Sequence, residues 1–255
     1  MKVLAVYNIK GGVGKTSTAV NLAWYASSQG QRVLLWDLDP QGASTYCLQV
    51  KPGKRPDRLL RGKVDAENIV KPTLYDNLDL LPSDFSMRHA DLLLHGMKKS
   101  QQQLQKILSP LSRDYDLVIM DCPPGFTLLS EAIFHAADML IVPTLPSVLS
   151  LRMLKQVIDF KKEHSIGKLR IRAFLNMVDR RKKLHLHILG QRHRIGKQMM
   201  QACIPYASAV EQMAELRQPL PEFNRLAPAA MAYGVLWAEI WDAIPGGLKL
   251  PCTPE

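Results

Sequence analysis

The segment Lys10-Gly11-Gly12-Val13-Gly14-Lys15-Thr16 limits the possible folds of this chain more than any other stretch. It follows an apolar run at 3–7, typical of a β-strand, and precedes a run at 19–23 that is typical of a helix. Three glycines in four positions let backbone N–H groups converge in a tight turn, and the following helix adds its own unpaired N–H groups. This order predicts a phosphate-binding loop in which Lys15 reaches the phosphates and the Thr16 hydroxyl binds Mg²⁺.

Acidic residues end two other apolar runs. The run at 32–36 leads into Asp37-Leu38-Asp39-Pro40-Gln41-Gly42, and the run at 117–120 leads into Asp121-Cys122-Pro123-Pro124-Gly125. Because the carboxyl ends of parallel strands face the ligand crevice, we expect these carboxylates to lie beside the phosphates and their Mg²⁺. An Asp-Pro turn that only caps a helix is the alternative interpretation of the first motif.

These motifs together resemble those of the ParA/MinD family of ATPases. The chain has Ile9 where an ordinary P-loop has glycine, and the added Lys10 gives the deviant Walker A form of that family. The two acidic motifs resemble its switch I (D-x-D-P-Q-G) and switch II (D-x-P-P-[SG]). The resemblance implies that Lys10 reaches the partner's nucleotide across a dimer and that Asp39 orients or activates the attacking water. It also implies that Asp37 and Asp121 help to hold Mg²⁺, partly through water.

The same resemblance implies ATP and Mg²⁺ as cofactors and a base site built around Asn176 and Pro205. An asparagine at a strand end can both donate to and accept from an adenine edge, although it can also simply close the strand into a turn. Met177 stands where the N-K-x-D guanine reader has lysine, which favours ATP over GTP. The expected nucleotide-binding residues are Gly11, Gly12, Val13, Gly14, Lys15, Thr16, Ser17, Asn176 and Pro205.

Length and periodicity predict an α/β fold with a mostly parallel twisted sheet and helices on both faces, that of a P-loop NTPase. We expect one domain over 1–245, a flexible tail over 246–255 and a surface excursion at 49–64. Strands are predicted near 2–8, 32–37, 78–82, 116–121, 139–144 and 169–176. Helices are predicted near 16–29, 98–111, 127–137, 148–164, 182–203, 208–217 and 227–243.

Positive charge is concentrated in one stretch. Residues 152–200 hold 14 Lys and Arg against three Asp and Glu, a net charge of +11 within a chain of net charge +10. Such a stretch is typical of a surface that binds a polyanion, most simply DNA phosphates without sequence preference. A solvated basic face and an anionic membrane are the alternatives. The expected DNA contacts are Arg180, Arg181, Lys182, Lys183, Arg192, Arg194 and Lys197, because 206–211 lacks the cation that ParA relatives often carry there.

Other features narrow the expected setting. We expect no membrane partner, because the chain has no apolar run of about 18 residues and its last eleven residues are too rich in Pro and Gly for an amphipathic helix. The four cysteines form no C-x-x-C pair, which predicts a reduced cytosolic protein without an iron–sulfur cluster. No signal peptide and no N-terminal helix-turn-helix are evident, so specific operator recognition is not expected.

The interpretation that unites these features is a ParA-like ATPase that forms an ATP-dependent homodimer and binds non-specific DNA. The resemblance implies that a ParB-like or cargo-adaptor protein stimulates its hydrolysis. It also implies a cytoplasmic, nucleoid-associated role in positioning a plasmid, a chromosome or a protein assembly. Two alternatives stay open: a MinD-like positioning ATPase on a membrane surface, and an ATP-dependent metabolic or metallocentre-maturation enzyme on the same fold.

Overall fold

A computed structural model describes residues 1–53 and 56–248. Within these ranges the chain forms eight strands: β1 (Lys2–Val6), β2 (Val33–Asp37), β3 (Lys71–Pro72), β4 (Leu78–Leu81), β5 (Leu117–Asp121), β6 (Met139–Thr144), β7 (Arg170–Val178) and β8 (Met199–Pro205). The α-helices are α1 (Lys15–Ser28), α2 (Ala43–Cys47), α3 (Asp57–Leu60), α4 (Ala90–His95), α5 (Gln103–Leu108), α6 (Leu128–Ala136), α7 (Val148–Glu163), α8 (Lys183–Gly190), α9 (Ser208–Leu216), α10 (Leu220–Phe223) and α11 (Pro228–Ala243). Short 3₁₀ turns link several of them.

The strands form one sheet in the order β3-β4-β2-β5-β1-β6-β7-β8. Every neighbouring pair is parallel except β3 and β4, which are antiparallel at one edge. β1 occupies the interior of the sheet between β5 and β6, so the loop that follows it opens at the centre of the carboxyl edge. The predicted fold class is therefore confirmed.

Two apolar cores cover the two faces of the sheet. Along β1, Val3, Ala5 and Tyr7 face one core, and Leu4 and Val6 face the other, as the two-residue period of a strand requires. The first core lies under α4–α7, and the second lies under α1 and α11. Because both faces are covered, the central strands are apolar on both sides, and polar groups gather at the strand ends.

All six predicted strands are present, with ends within two residues of the expected ones, and five predicted helices are present with ends within one residue. The helix predicted at 182–203 is wrong: α8 ends at Gly190, a 3₁₀ turn covers Arg192–Arg194, and β8 begins at Met199. Gly196 adopts φ +124°, which an L-residue seldom adopts, and it ends the helical stretch before β8. The regularly spaced basic residues of this stretch fit a helix, so the apolar strand that follows them is not predicted from the sequence.

The helix predicted at 98–111 is also shorter than expected. Only Gln103–Leu108 is α-helical, and 3₁₀ turns flank it. Pro110 lacks the backbone N–H that a continuing helix needs. The edge strand β3, two residues long, was not predicted.

The excursion at 49–64 contributes to the fold as well as to the surface. Leu59 and Leu60 of α3 are buried in the first core. Residues 54, 55 and 249–255 lie outside the described residues, so most of the predicted flexible tail does too. In the part of the chain that the structure describes, no helix is both long and apolar enough to cross a bilayer.

Candidate active site

The glycine-rich loop wraps the start of α1. Gly12 and Gly14 adopt φ +71° and +85°, and a Cβ on Gly14 would overlap the side-chain nitrogen of Asn176, so only glycine fits there. Gly14 is also the N-cap residue, and no side chain caps the helix. The first N–H groups of α1 therefore remain available to an anion, and the helix dipole favours negative charge at this point.

The two lysines of the loop occupy different surroundings. Lys15 is only 7% exposed, and its Nζ donates to the carbonyl oxygen of Lys10 at 3.3 Å. Burial lowers the pKa of Lys15, while the charge of Asp121 opposes that shift. Lys10 is exposed, and its backbone N–H donates to Oδ1 of Asn8 at 2.9 Å. Lys15 is thus directed into the loop, whereas Lys10 is presented at its rim.

Two buried carboxylates lie beside the loop. Asp37 and Asp121 are register partners at the ends of β2 and β5. Asp37 accepts hydrogen bonds from the Thr45 backbone N–H (2.9 Å) and hydroxyl (2.7 Å), and Asp121 accepts one from the Ser44 hydroxyl (2.7 Å). Burial, with the charge of Asp121 second, raises the pKa of Asp37 to about 8. Burial likewise raises the pKa of Asp121 to about 6, against the lowering effect of the Ser44 and Thr16 hydroxyls.

This arrangement fits a divalent cation. Oδ1 of Asp121 is buried and has no hydrogen-bond partner among the described residues. A cation would satisfy that oxygen and neutralise two adjacent carboxylates whose burial otherwise disfavours their charge. The donors are all oxygens, the set that Mg²⁺ prefers. Thr16, Asp37 and Asp121, the predicted ligands, are thus brought together.

Asp39 lies one step further along the loop after β2. It is partly exposed; its Oδ1 accepts the Gln41 N–H at 2.9 Å, and its own N–H donates to Asp37 at 3.2 Å. Its charge acts on Lys15, which places it at the same end of the site. An accessible carboxylate next to a phosphate-binding loop can accept a hydrogen bond from water.

Switch II is tied to the central strand. The Tyr7 hydroxyl donates to the carbonyl oxygen of Gly125 at 2.7 Å, and the Gly125 N–H donates to the carbonyl of Ile9 at 3.0 Å. Phe126 stacks on Phe160 of α7, with ring centroids 4.7 Å apart. The loop after Asp121 is therefore bonded directly to the residue that precedes Lys10.

At the end of the site where the base is predicted to bind, Asn176 makes two hydrogen bonds within the protein. It is 2% exposed; its Nδ2 donates to the carbonyl of Val13 at 2.7 Å, and its Oδ1 accepts the Met177 N–H at 3.0 Å. Asn176, Ser17 and Pro205 line a narrow cavity of about 40 Å³. Asn176 thus holds the phosphate loop as well as facing the predicted base site, a role that sequence reasoning missed.

The predicted DNA contacts all lie between β7 and β8, in residues 180–197, here called the basic segment. All are exposed apart from Arg192, which is partly exposed. Arg181 forms an ion pair with Asp179 at 2.9 Å and lowers the pKa of Asp179 to about 2. An open cavity of about 580 Å³ separates Arg180 and Arg181 from the loop after β8, and it shares Pro205 with the base cavity. The basic segment therefore adjoins the base end of the site.

Three buried residues that support the site are not predicted from the sequence. Asn8 is buried and links Lys10 to the end of β6 through a 2.8 Å bond from its Nδ2 to the Pro143 carbonyl. Ser44 and Thr45 hold the two buried carboxylates. Their one sequence signal is a Ser-Thr pair that follows the D-x-D-P-Q-G motif after one alanine.

The fold and this site define a P-loop nucleotide-binding α/β protein. A family profile for the AAA domain matches residues 1–170. The sporulation initiation inhibitor protein Soj of Bacillus subtilis is 32% identical over 197 residues, which cover 74% of this chain and 78% of that protein. The chromosome-partitioning ATPase Soj of Treponema pallidum is 29% identical over 244 residues, which cover 94% of this chain and 96% of that protein.

A solved structure adds a whole-chain match. Cobyrinic acid a,c-diamide synthase from Mycobacterium smegmatis, with bound ADP and magnesium, superimposes with a TM-score of 0.81 at 27% identity, and the match covers all of both chains. This chain belongs to the ParA/MinD family of P-loop ATPases.

Proposed function

We propose that this protein is a nucleotide-dependent dimerising switch that binds non-specific DNA in its ATP state and positions a cargo. The observation that carries the proposal is the position of the basic segment. It begins at Arg180, four residues after Asn176 of the base site, so nucleotide and polyanion surfaces share one strand end. A change at the nucleotide can thus reach the DNA surface over a short distance.

ATP and Mg²⁺ are the cofactors that the site supports. The related synthase binds ADP and magnesium, and the glycine loop, Lys15 and the buried carboxylates described above suit the same pair. Mg²⁺ supplies charge neutralisation at the phosphates when it is bound. Lys15 contacts the phosphates, and Thr16, Asp37 and Asp121 hold the ion. Asp39 accepts a hydrogen bond from the attacking water and orients it.

In the proposed dimer, Lys10 supplies the contact between one subunit and the nucleotide of the other. Lys15 fills the interior of its own loop, while Lys10 is exposed at the rim and its backbone is fixed through Asn8. A second copy that faces this edge receives the Lys10 ammonium at its own phosphates. Because dimerisation doubles the basic segment, it raises DNA affinity steeply with the number of phosphate contacts.

Hydrolysis then ends the DNA-bound state. Loss of the γ-phosphate removes the group that both lysines contact, so the two copies separate and each carries too few cations to hold DNA. A ParB-like or cargo-adaptor protein sets the timing by stimulating hydrolysis. The cycle takes place in the cytoplasm, on the nucleoid.

The test is binding to a fluorescein-labelled duplex of random sequence with ATP, with ADP and without nucleotide, at low and high salt. We expect binding with ATP alone, weakened by salt. No binding in any nucleotide state, with ATP still hydrolysed, would refute the DNA part of the proposal.

The full-length likeness to a diamide synthase favours one other function, an ATP-dependent metabolic enzyme. Such an enzyme would hydrolyse ATP only with a small acceptor substrate, and DNA would not change its rate. The concentrated basic segment favours the switch, because cations spread over residues 180–197 suit a long polyanion better than one small substrate.

A further inference from the structure

One short segment is hydrogen-bonded to a residue shortly after each switch motif, to Thr45 after switch I and to Leu129 after switch II. Residues 83–95, here called the bridging segment, run from the end of β4 through a 3₁₀ turn at Phe85–His89 into α4. The Ser83 N–H donates to the Thr45 hydroxyl oxygen at 3.0 Å, and that hydroxyl donates to Asp37 at 2.7 Å. Two hydrogen bonds therefore connect the start of the segment to a predicted magnesium ligand.

The other end of the bridging segment holds the helix that follows switch II. Oδ1 of Asp91 accepts the N–H of Leu129 at 2.9 Å. Leu129 lies in the first turn of α6, where backbone N–H groups have no partner within the helix. This bond links α4 to the start of α6, so a displacement of either helix would act on the other.

The junction with switch I contains an unpaired polar group. Ser83 is 1% exposed, and its hydroxyl has no hydrogen-bond partner among the described residues. Its carbonyl lies close to Gly42, where an added Cβ would come within 3.3 Å. Because a buried hydroxyl without a partner is costly, a second arrangement of switch I that pairs it would be favoured.

The outer face of the bridging segment carries large apolar side chains in a line. Phe85 is 64% exposed and Leu92 is 72% exposed. The Arg88 guanidinium lies 4.1 Å from the centroid of the Phe85 ring. The spacing of these three residues places them on one helical face, and a cavity of about 350 Å³ lies beside Phe85 and Arg88. Two exposed apolar side chains that flank one cation in the chain form a candidate interaction surface.

The charges around this face indicate the chemistry of the partner that it would bind. Arg88, Lys98 and Lys99 are exposed cations. The nearby acids Asp84 and Asp91 each accept a backbone N–H, from Ser86 and Leu129 respectively. Both carboxylates keep their charge, so the three cations exceed the two acids by one. The face therefore offers a small excess of positive charge beside apolar surface, and its complement is a segment that carries acidic and apolar side chains. DNA would leave Phe85 and Leu92 without apolar partners, and two helical turns are short for a lipid-binding helix.

We propose that the bridging segment is the docking surface for a protein partner that presents acidic and apolar side chains, and that docking is linked to the nucleotide state. This inference rests on the proposed switch function, since it assumes that both switch regions rearrange with nucleotide. It identifies the chemistry of the partner surface and the path by which docking reaches Asp37 and switch II.

The test places a photo-crosslinking phenylalanine analogue at position 85 or 92 of the full chain, in cells of its native host. The adduct with a second protein should be at least about fivefold more abundant in an Asp39→Ala background, which keeps ATP, than in a Lys15→Ala background, which lacks nucleotide. Arg88→Glu should abolish it, and reversing an acidic residue of the captured segment should restore it. The analogue at Leu226, which is 80% exposed, is the control and should give no such adduct.

Several results would overturn the inference. They are an absence of adducts at both positions, equal adducts from Leu226, capture of a second copy of this chain, or yields that ignore the nucleotide background. Liposome binding that is lost in Phe85→Ser with Leu92→Ser would assign the face to lipid instead. DNA binding by the same variant should equal that of the unsubstituted chain. A chain that never binds DNA but still gives nucleotide-dependent adducts would refute the DNA proposal and leave this one standing.

Discussion

The centre of the carboxyl edge and the basic segment between β7 and β8 follow opposite principles. At the centre, Lys15, Asp37 and Asp121 are buried at strand ends and fixed by hydrogen bonds of 2.7–3.3 Å. In the basic segment, by contrast, the side chains are mostly exposed, and Arg181 is the member with an ion pair. A catalytic site therefore depends on each position, whereas a polyanion surface depends on the sum of its charges. Substitutions should have large local effects at the centre and small additive ones in the basic segment.

The largest effect is expected at Asp39. Asp39→Ala removes the accessible carboxylate to which we assign the orientation of the attacking water, so hydrolysis should fall by about 10²–10⁴-fold while ATP stays bound. Single-turnover hydrolysis and ATP binding, measured on the same preparation, would check this. Asp114→Ala is a matched control, because it removes an exposed carboxylate that precedes β5, at the opposite edge of the sheet. Normal hydrolysis in Asp39→Ala would remove Asp39 from the mechanism.

Lys15→Ala should lower nucleotide affinity by at least about 100-fold, close to 2.7 kcal/mol. The buried ammonium is the one that the loop directs inward, and charge-assisted contacts to phosphate are strong. Calorimetric titration with ATP would measure the loss. Lys10→Ala is the matched control: a monomer should still bind ATP, because that side chain lies at the rim. Equal losses in both variants would mean that the two lysines act within one subunit.

The basic segment should respond more gradually. Lys182→Ala with Lys183→Ala should weaken DNA binding by on the order of tenfold and reduce the salt slope by about 2. Arg181→Ala should cost less, because Arg181 is already paired with Asp179. DNA titrations at several salt concentrations would measure both. Lys98→Ala with Lys99→Ala removes the same charge elsewhere and should leave the slope unchanged; an equal drop there would mean that net charge alone matters.

The contrast also explains what the sequence could predict. Asp37 and Asp121 are the last residues of β2 and β5, and Asn176 lies two residues before the end of β7. Local pattern therefore predicts these strands and places the three side chains within two residues of the strand ends. Local pattern does not predict β8. The cationic residues before it repeat with a helical period and its apolar residues continue that pattern, so the whole stretch is typical of a helix. Pairing with β7, a contact distant in sequence, decides the conformation of β8.

Contacts between distant segments account for the rest of what was missed. The bond from Asn176 to Val13 spans 163 residues, and that from Asn8 to Pro143 spans 135. No periodicity encodes such bonds. The resemblance predicts Asn176 as a base-site residue, and the fold shows that Asn176 holds the phosphate loop.

The smallest expected effect is the pH dependence of stability, which arises from the buried carboxylates at the centre and not from the basic segment. The pKa of Asp121 is raised to about 6 and that of Asp37 to about 8, so the folded protein without metal binds more protons than the unfolded chain above pH 4 or so. The two carboxylates interact and titrate as a pair. Their contribution to stability is complete below the unfolded pKa and is lost as the pH rises through the raised pKa values of the pair, between about 6 and about 8. The Tm of metal-free protein should therefore fall over this range by at least about 2 °C, the equivalent of 1 kcal/mol.

Asp37→Asn isolates this effect from other titrating groups. Its amide keeps an acceptor for Thr45 but cannot ionise, so the Tm of the variant should fall less with pH than that of the unsubstituted chain. Mg²⁺ should restore stability to the unsubstituted protein more at pH 8 than at pH 6, because its carboxylate ligands must be ionised. Thermal unfolding with and without Mg²⁺ tests both points. A Tm difference between the two proteins that stays constant with pH would show that Asp37 is already ionised in the metal-free fold, and that its bonds to Thr45 outweigh its burial.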